Sequence, residues 1–179
     1  MPKYLVIGNS AAGLSAAEAI REVDAQGSIT ILSEESYPAY SRPRLTQFLA
    51  GECAEDDLWL RPSQHYQTRG IDLRLGLRVE KIDVEAKEAV TDQGERLSWE
   101  KLLLAPGGKP LISAEWSKRR GVFPFNSLDE TKAILRALER GARVAVIGAG
   151  LIGVSAAKAL ARRQAQVSLI AGSPRVLST

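Results

Sequence analysis

The chain has 179 residues, 45% of them apolar and 25% charged, with a formal net charge of +3. That length allows one full domain, or one domain and part of another, and the composition is that of a globular protein with an apolar core. No apolar run approaches the ~20 residues needed to cross a bilayer. One cysteine (Cys53) and one histidine (His65) exclude a disulfide framework and argue against a thiolate or imidazole metal centre within the chain. The only tight basic runs, Lys118-Arg119-Arg120 and Arg162-Arg163, fall short of a nucleic-acid-binding stripe.

The chain opens on Tyr4-Leu5-Val6-Ile7, an apolar run long enough for one buried strand. No signal-peptide pattern precedes it, and the single cysteine fits a reducing, cytoplasmic setting. Gly8-Asn9-Ser10-Ala11-Ala12-Gly13 follows, then an Ala-rich stretch that predicts a helix from Ala11 to about Val23. In a dinucleotide turn Gly8 would reverse the backbone tightly and the small Ser10 would admit a pyrophosphate. Gly13 would let the helix pack close to the sheet, with free amides at the helix start facing the anion. Alone, and with Ser in place of the middle glycine, the pattern reads equally as an ordinary tight strand–helix turn.

Ile29-Thr30-Ile31-Leu32 predicts the second strand, and Ser33-Glu34-Glu35 ends it. Glu34 stands where such folds place the acid that binds an adenosine ribose. Tyr37-Pro38-Ala39-Tyr40-Ser41-Arg42-Pro43-Arg44-Leu45 suits an anion-binding loop. A short helix is expected from Leu45 to about Ala50, then an irregular connector with a further short helix between Asp56 and Tyr66. Gly70 to Gly76 alternates apolar and polar residues like a strand. Val79–Val84, Ala89–Thr91 and Arg96–Trp99 read as an antiparallel meander turning at Asp92-Gln93-Gly94-Glu95. Leu102–Ala105 reads as another fully buried strand, ended by Pro106-Gly107-Gly108.

Residues 109–126 read as an irregular connector. Ser127-Leu128-Asp129-Glu130 is a capping box opening a helix to about Arg140, with Gly141 as its stop. Val144 to Ile147 then begins an internal repeat. A shift of 140 positions lays Val6-Ile7-Gly8 on Val146-Ile147-Gly148, Gly13 on Gly153, and Ser15-Ala16-Ala17 on Ser155-Ala156-Ala157. Here the turn is a complete G-x-G-x-x-G, Gly148-Ala149-Gly150-Leu151-Ile152-Gly153, followed by a helix to about Arg163 and a strand from Val167 to Ile170. Two such turns in one chain are far more specific than one. The alternation gives an α/β class with a meander inserted in the first unit.

These stretches make the sequence resemble the two-dinucleotide-binding-domain flavoproteins, the FAD-dependent pyridine-nucleotide oxidoreductases. It is nearest the rubredoxin- and ferredoxin-reductase branch and the reductase region of the assimilatory nitrite reductase large subunit. The resemblance implies a Rossmann-like FAD-binding domain over 1–115, a connector and helix over 116–142, and the first βαβ of a second, NAD(P)-binding Rossmann-like domain over 143–179. It also implies that the rest of that domain, a return segment with a flavin-binding Gly-Asp and an interface domain lie outside these residues. By position, Gly8, Ser10, Ala11, Ala12 and Gly13 would hold the FAD pyrophosphate, and Glu34 or Glu35 the adenosine ribose. Arg42 and Pro43 would lie along the pyrophosphate and flavin, and Val79 would meet the adenine through its backbone. Ala105-Pro106-Gly107 stands where the family has Ala-Thr-Gly at the FAD. Gly148, Gly150, Leu151, Ile152 and Gly153 would cradle the NAD(P) pyrophosphate.

The departures are specific. A lysine near the flavin in much of the branch is Gln47, and the Thr of Ala-Thr-Gly is Pro106. The acid ending the second strand of the NAD(P) copy falls at Ala171, followed by Gly172, which argues against NAD and leaves NADP, with Arg175 nearby, or a decayed site. A glutamate after the third glycine is Ser155. Cys53 matches neither redox-cysteine position of the related branches and reads as an inert loop residue.

Two functions follow from the resemblance. One is an oxidoreductase passing electrons from NAD(P)H through flavin to a protein or cofactor acceptor, with a basic face that could dock an acidic carrier; no residue is singled out as a catalytic acid or base. The other is an FAD- or adenine-nucleotide-binding module that completes its fold with a partner chain, or a portion of a longer reductase.

Overall fold

A computed structural model describes residues 3–177. In chain order it contains β1 (Lys3–Ile7), α1 (Ala11–Val23), β2 (Ser28–Leu32), α2 (Leu45–Ala50), α3 (Gln64–Thr68), β3 (Ile71–Arg74), β4 (Val79–Asp83), β5 (Glu88–Thr91), β6 (Arg96–Ser98), β7 (Lys101–Leu104), α4 (Ala114–Ser117), α5 (Leu128–Ala137), β8 (Arg143–Ile147), α6 (Leu151–Arg162) and β9 (Gln166–Ile170). Short 3₁₀ turns occupy Arg42–Arg44 and Asp56–Leu58. The chain divides into two compact units. One comprises the residues up to Ser41 with Trp59–Gly108; the other comprises Arg42–Leu58 with the residues from Lys109 on. The excursion Arg42–Leu58, which lies inside 1–115 in chain order, therefore groups with the second unit.

The first unit is built on a four-stranded parallel sheet ordered β3-β2-β1-β7. Strand side chains alternate between faces, and here both faces are covered. Val6, Ile29 and Ile31 point to one side and meet Leu14 and Ala17 of α1, with Ile71 and Tyr66. Leu5 and Leu32 point to the other and meet Ala89 and Trp99 of the antiparallel meander β4-β5-β6. A parallel sheet buried on both faces explains why β1 and β2 read as continuous apolar runs. The expected α/β class with its inserted meander is thus present. The stretch expected as a fully buried strand, Leu102–Ala105, is different: Leu104 is 57% exposed. The reason is position, since β7 is an edge strand with a neighbour on one side only.

The second unit carries the repeat. β8 and β9 pair in parallel, and one face of this pair (Val144, Val146, Val167) packs with Ala156, Ala159 and Leu160 of α6, Leu49 of α2 and Ile134 of α5. The capping box of α5 is formed: the Glu130 amide donates to Ser127 Oγ at 3.2 Å, and the Ser127 amide donates to Glu130 Oε2 at 2.9 Å. The helix ends at Ala137 rather than near Arg140. Leu138 is already extended, and Gly141, at φ +76°, shapes the turn into β8 instead of capping the helix. The expected irregular connector contains α4, whose amide at Trp116 donates to Ser113 Oγ.

At the edge of the first unit's sheet where β2 and β3 begin, Arg21 ties three segments together. Its guanidinium donates to the carbonyls of Asp24, Gly27, Arg69 and Gly70 at 2.8–2.9 Å. The end of α1 and the turns entering β2 and β3 thus share one cation. A hydrogen bond from a charged donor contributes about 1.5–3 kcal/mol. Arg21→Ala should therefore lower unfolding stability by about 2–3 kcal/mol in chemical denaturation. Arg21→Lys should recover only part of this, because an ammonium cannot reproduce the planar fork.

Candidate functional site

The strand order places β2 on one side of β1 and β7 on the other, so the chain switches direction at the carboxyl end of β1. Open α/β sheets bind ligands at such a switch point, and Gly8 sits there. Its amide donates to the Leu32 carbonyl at 2.8 Å, and the Ala105 amide donates to the Ile7 carbonyl at 2.8 Å. Gly8 has φ +107°, and a Cβ on it would lie 2.0 Å from the Ala105 carbonyl oxygen. A Cβ on Gly13 would lie 1.9 Å from the Gly8 carbonyl oxygen. Both glycines are therefore demanded by the protein's own backbone, one by the β1–β7 crossing and one by the approach of α1 to the strand it leaves.

Ser10 caps α1 in an extended conformation without a side-chain bond. The Leu14 amide makes the bond to the Ser10 carbonyl at 2.9 Å, so the preceding amides of Ala11, Ala12 and Gly13 have no partner within the helix. Ala11 and Ala12 are exposed. Unpaired amides and the positive end of the helix dipole make this turn fit a diphosphate.

Beside the turn lies a group that sequence reasoning missed. The Tyr66 hydroxyl donates to Asn9 Oδ1 at 3.2 Å and accepts from the Ala39 amide at 3.1 Å. Burial pushes the Tyr66 phenol above its ordinary range, against the opposing pull of the Ala39 amide and the Asn9 side chain. Asn9 Nδ2 is buried and has no hydrogen-bond partner within the chain. A buried donor left unsatisfied within the glycine turn fits a site that completes its bonding with something outside the chain. No spacing or composition signal marks Tyr66, which lies on a short helix in a connector.

The remaining expected residues of this unit also gather at the carboxyl edge. Glu34 directly follows β2 and is exposed; Glu35 is half-buried and its Oε2 accepts from the Tyr40 hydroxyl at 2.6 Å. The Leu77 amide donates to the Ser33 carbonyl at 2.8 Å, which leads the chain into β4 beside this end of β2. The Val79 side chain packs into the apolar cluster of Leu5, Leu32 and Trp99, so a contact to an outside ligand would fall to its backbone. Pro106 and Gly107 are exposed after β7, Gly107 at φ +72°. Arg42, Pro43 and Gln47 belong to the second unit. There Arg42 donates to the Asn126 carbonyl at 2.6 Å, Pro43 sits in the 3₁₀ turn, and Gln47 Oε1 accepts from Arg44 at 3.1 Å.

The second glycine turn repeats the first one's construction. Gly148, at φ +105°, donates to the Ile170 carbonyl at 2.9 Å, and a Cβ on Gly153 would lie 1.8 Å from the Gly148 carbonyl oxygen. Gly150 differs. It caps α6 with φ −77°, which any residue adopts, and a Cβ there would meet nothing within 4 Å. The fold does not require glycine at this position, so its smallness leaves room for a ligand. Leu151 and Ile152 are 75% and 64% exposed. Ile7 pairs with Leu32, and Ile147 with Ile170, so the counterparts of Ser33, Glu34 and Glu35 are Ala171, Gly172 and Ser173. The second copy has no acid at the end of its second strand.

Among the described residues, no group of three or more His, Cys, Asp or Glu side chains is placed to hold a metal ion, and no helix is long and apolar enough to cross a membrane. Cys53 is a half-buried free thiol.

Comparison with known proteins agrees with this geometry. The chain belongs to the pyridine nucleotide-disulphide oxidoreductase family, whose model matches residues 2–179. It is 34% identical over 176 residues to the rubredoxin-NAD(+) reductase of Pseudomonas putida, covering 97% of this chain and 46% of that one. It is 33% identical over 174 residues to a nitrite reductase [NAD(P)H] of Bacillus subtilis, covering 96% of this chain and 22% of that one. The crystal structure of a covalent putidaredoxin reductase–putidaredoxin complex superposes with a TM-score of 0.91 at 26% identity, over 98% of this chain and 43% of that one. The chain thus spans less than half the length of these relatives.

Removing the Tyr66 hydroxyl would leave the Ala39 amide and both polar atoms of Asn9 unsatisfied. Tyr66→Phe should cost about 1–3 kcal/mol of stability at neutral pH. A phenol whose pKa is raised on folding stabilises the native state fully below the unfolded value of about 10 and loses that contribution as pH rises further. Denaturation measured against pH should therefore show a steeper alkaline decline for the unsubstituted chain than for Tyr66→Phe.

Proposed function

We propose that this member of the pyridine nucleotide-disulphide oxidoreductase family binds FAD at its first glycine turn and NAD(P)H at its second, and passes electrons to a redox-protein acceptor. One observation carries the proposal: two strand–turn–helix units, with the same close approach of Gly13 to Gly8 and of Gly153 to Gly148, stand in one chain, and only the first is followed by an acid. The family's members bind FAD and NAD(P)H, and the relatives named above include reductases of rubredoxin and putidaredoxin. We place the flavin domain at 1–115, the connecting segment at 116–142 and the opening of the NAD(P) domain at 143–179, in a cytoplasmic setting.

The chain's own contribution is binding and orientation. The amides of Ala11, Ala12 and Gly13 face the diphosphate, with Ser10 small enough to let it approach. Glu34 or Glu35, which follow β2 at this edge, accepts from the adenosine ribose. Val79 offers backbone groups to the adenine, Ala105-Pro106-Gly107 borders the cofactor, and Arg42, Pro43 and Gln47 supply the positions that line pyrophosphate and flavin in the family. Gly148, Gly150, Leu151, Ile152 and Gly153 hold the second diphosphate. A bound flavin supplies acceptance of a hydride and release of electrons singly or in pairs. Ala171 and Gly172 favour one other reading, a nucleotide-holding module that does not turn over pyridine nucleotide.

The purified full chain should carry a flavin absorbance spectrum in near-stoichiometric amount, and anaerobic NADPH or NADH should bleach it. Yellow protein that neither nucleotide bleaches would favour the holding module. Protein that stays colourless after incubation with FAD, while retaining native secondary structure, would reject both. Gly13→Val should lose the flavin, because its side chain would start from an atom 1.9 Å from a backbone oxygen.

A further inference from the structure

The excursion Arg42–Leu58 groups with the second unit, and its attachment there is specific. Leu49 is fully buried and packs with Ala156, Ala159 and Leu160 of α6. Charged contacts flank that apolar one. Arg162 pairs with Glu52, and Lys132 Nζ lies 2.7 Å from Glu55 Oε1. Arg163, the residue directly after α6, donates from Nε to the Leu49 carbonyl at 2.9 Å.

The Arg163 contact is shaped to the end of α2. That helix stops on Gly51 at φ +78°, where the Gly51 amide donates to the Phe48 carbonyl at 3.0 Å and the Glu52 amide to the Gln47 carbonyl at 2.9 Å. Carbonyls at a helix end need partners from outside the helix, and Arg163 serves that of Leu49. A Cβ on Gly51 would lie 2.9 Å from Arg163 Nη2 and 3.0 Å from its Cζ, so the guanidinium rests on the bare glycine. A cation there also meets the negative end of the helix dipole. One helix, α6, thus opens at the second glycine turn and closes on the segment that carries Gln47.

Resting on the reading that Arg42, Pro43 and Gln47 line the flavin, we propose that Arg163 is a positioning residue for that cofactor. By sequence it follows the second glycine turn, yet it sets the placement of the flavin-lining segment. The burial of Leu49 fixes how deeply α2 packs, but an apolar contact leaves a six-residue helix free to turn and slide. A directional bond from Nε, with the guanidinium against Gly51, removes that freedom. Gln47 is two residues from Leu49, so a shift at this end reaches it directly. At the other end Arg42 donates to the Asn126 carbonyl at 2.6 Å, so loss of Arg163 frees the segment at one end only.

The test uses the full chain loaded with FAD. Arg163→Ala should weaken FAD binding about tenfold, read from the fluorescence of released flavin, and should blur the fine structure of the visible flavin band. ADP-ribose binding at the second turn, measured by calorimetry, should stay within about twofold. Hydrogen exchange should rise at the Gly51 and Glu52 amides. Arg163→Lys should recover part of the FAD affinity, because an ammonium can reach the Leu49 carbonyl but cannot lie flat on Gly51. Gly51→Ala, which displaces the guanidinium, should weaken FAD binding in the same way. The double variant should bind FAD no more weakly than the weaker single variant, since both act at one joint. Lys158→Ala, which removes another cation of α6, should change nothing. Unchanged FAD affinity in folded Arg163→Ala or Gly51→Ala protein, or loss of ADP-ribose binding in place of FAD, would overturn the positioning role and leave the flavin reading standing. An unsubstituted chain that takes up no FAD would overturn that reading, and the positioning role with it.

Discussion

The closest constraint in both units is the same: a helix that must leave its strand within touching distance of the strand's last residues. At Gly13 and at Gly153 a single added carbon would come within 2 Å of the carbonyl oxygen of the turn's first glycine. No rotamer relieves that clash, because the backbone fixes where a Cβ lies and the oxygen is itself backbone. The contact fixes where each helix begins, and the beginning of the helix is where unpaired amides collect. The place where those amides collect is thus a by-product of close packing between strand and helix.

Around the first turn that constraint propagates outward. Gly8 is locked from the other side by the Ala105 carbonyl, so β7 must lie beside β1, and a direction change at β1 follows. The residues that end β2, enter β4 and leave β7 then converge on one edge. The two faces of the sheet are covered by unlike layers, a helix and a meander. They are sorted by alternation within β1 itself, where Val6 serves one layer and Leu5 the other. A one-residue slip in β1 would exchange those layers and move Gly8 away from Ala105.

Much of this is legible in the sequence because it rests on local signals. The glycine turns, the capping box at Ser127, the alternation of β3 and the meander's turn at Gly94 each show as a residue type at a fixed offset, and the repeat doubles the strength of the first. What is not legible depends on neighbours distant in sequence. Leu104 reads as buried because it sits in an apolar run; its exposure follows from the strand's place at the sheet edge. The stop of α5 at Ala137 is not marked by Gly141, whose role is the following turn. The pairing of Tyr66 with Asn9 joins residues 57 positions apart and leaves no periodic trace. The chemistry at the end of β9 is legible only by comparison with β2, because an absence of acid has no motif of its own.

Gly150 separates packing from function more cleanly than any other residue of the two turns. Gly8, Gly13 and Gly153 would stay glycine in a protein that binds nothing, since the backbone excludes any side chain there. Gly150 has an ordinary φ and open space beyond it, so the fold would accept alanine or serine, as it accepts Ser10 at the matching position of the first copy. A glycine that none of these contacts requires thus stands at the opening of a twelve-residue helix, in a segment free of acids. A helix opening bare of side chains is the shape that a diphosphate lying against backbone requires.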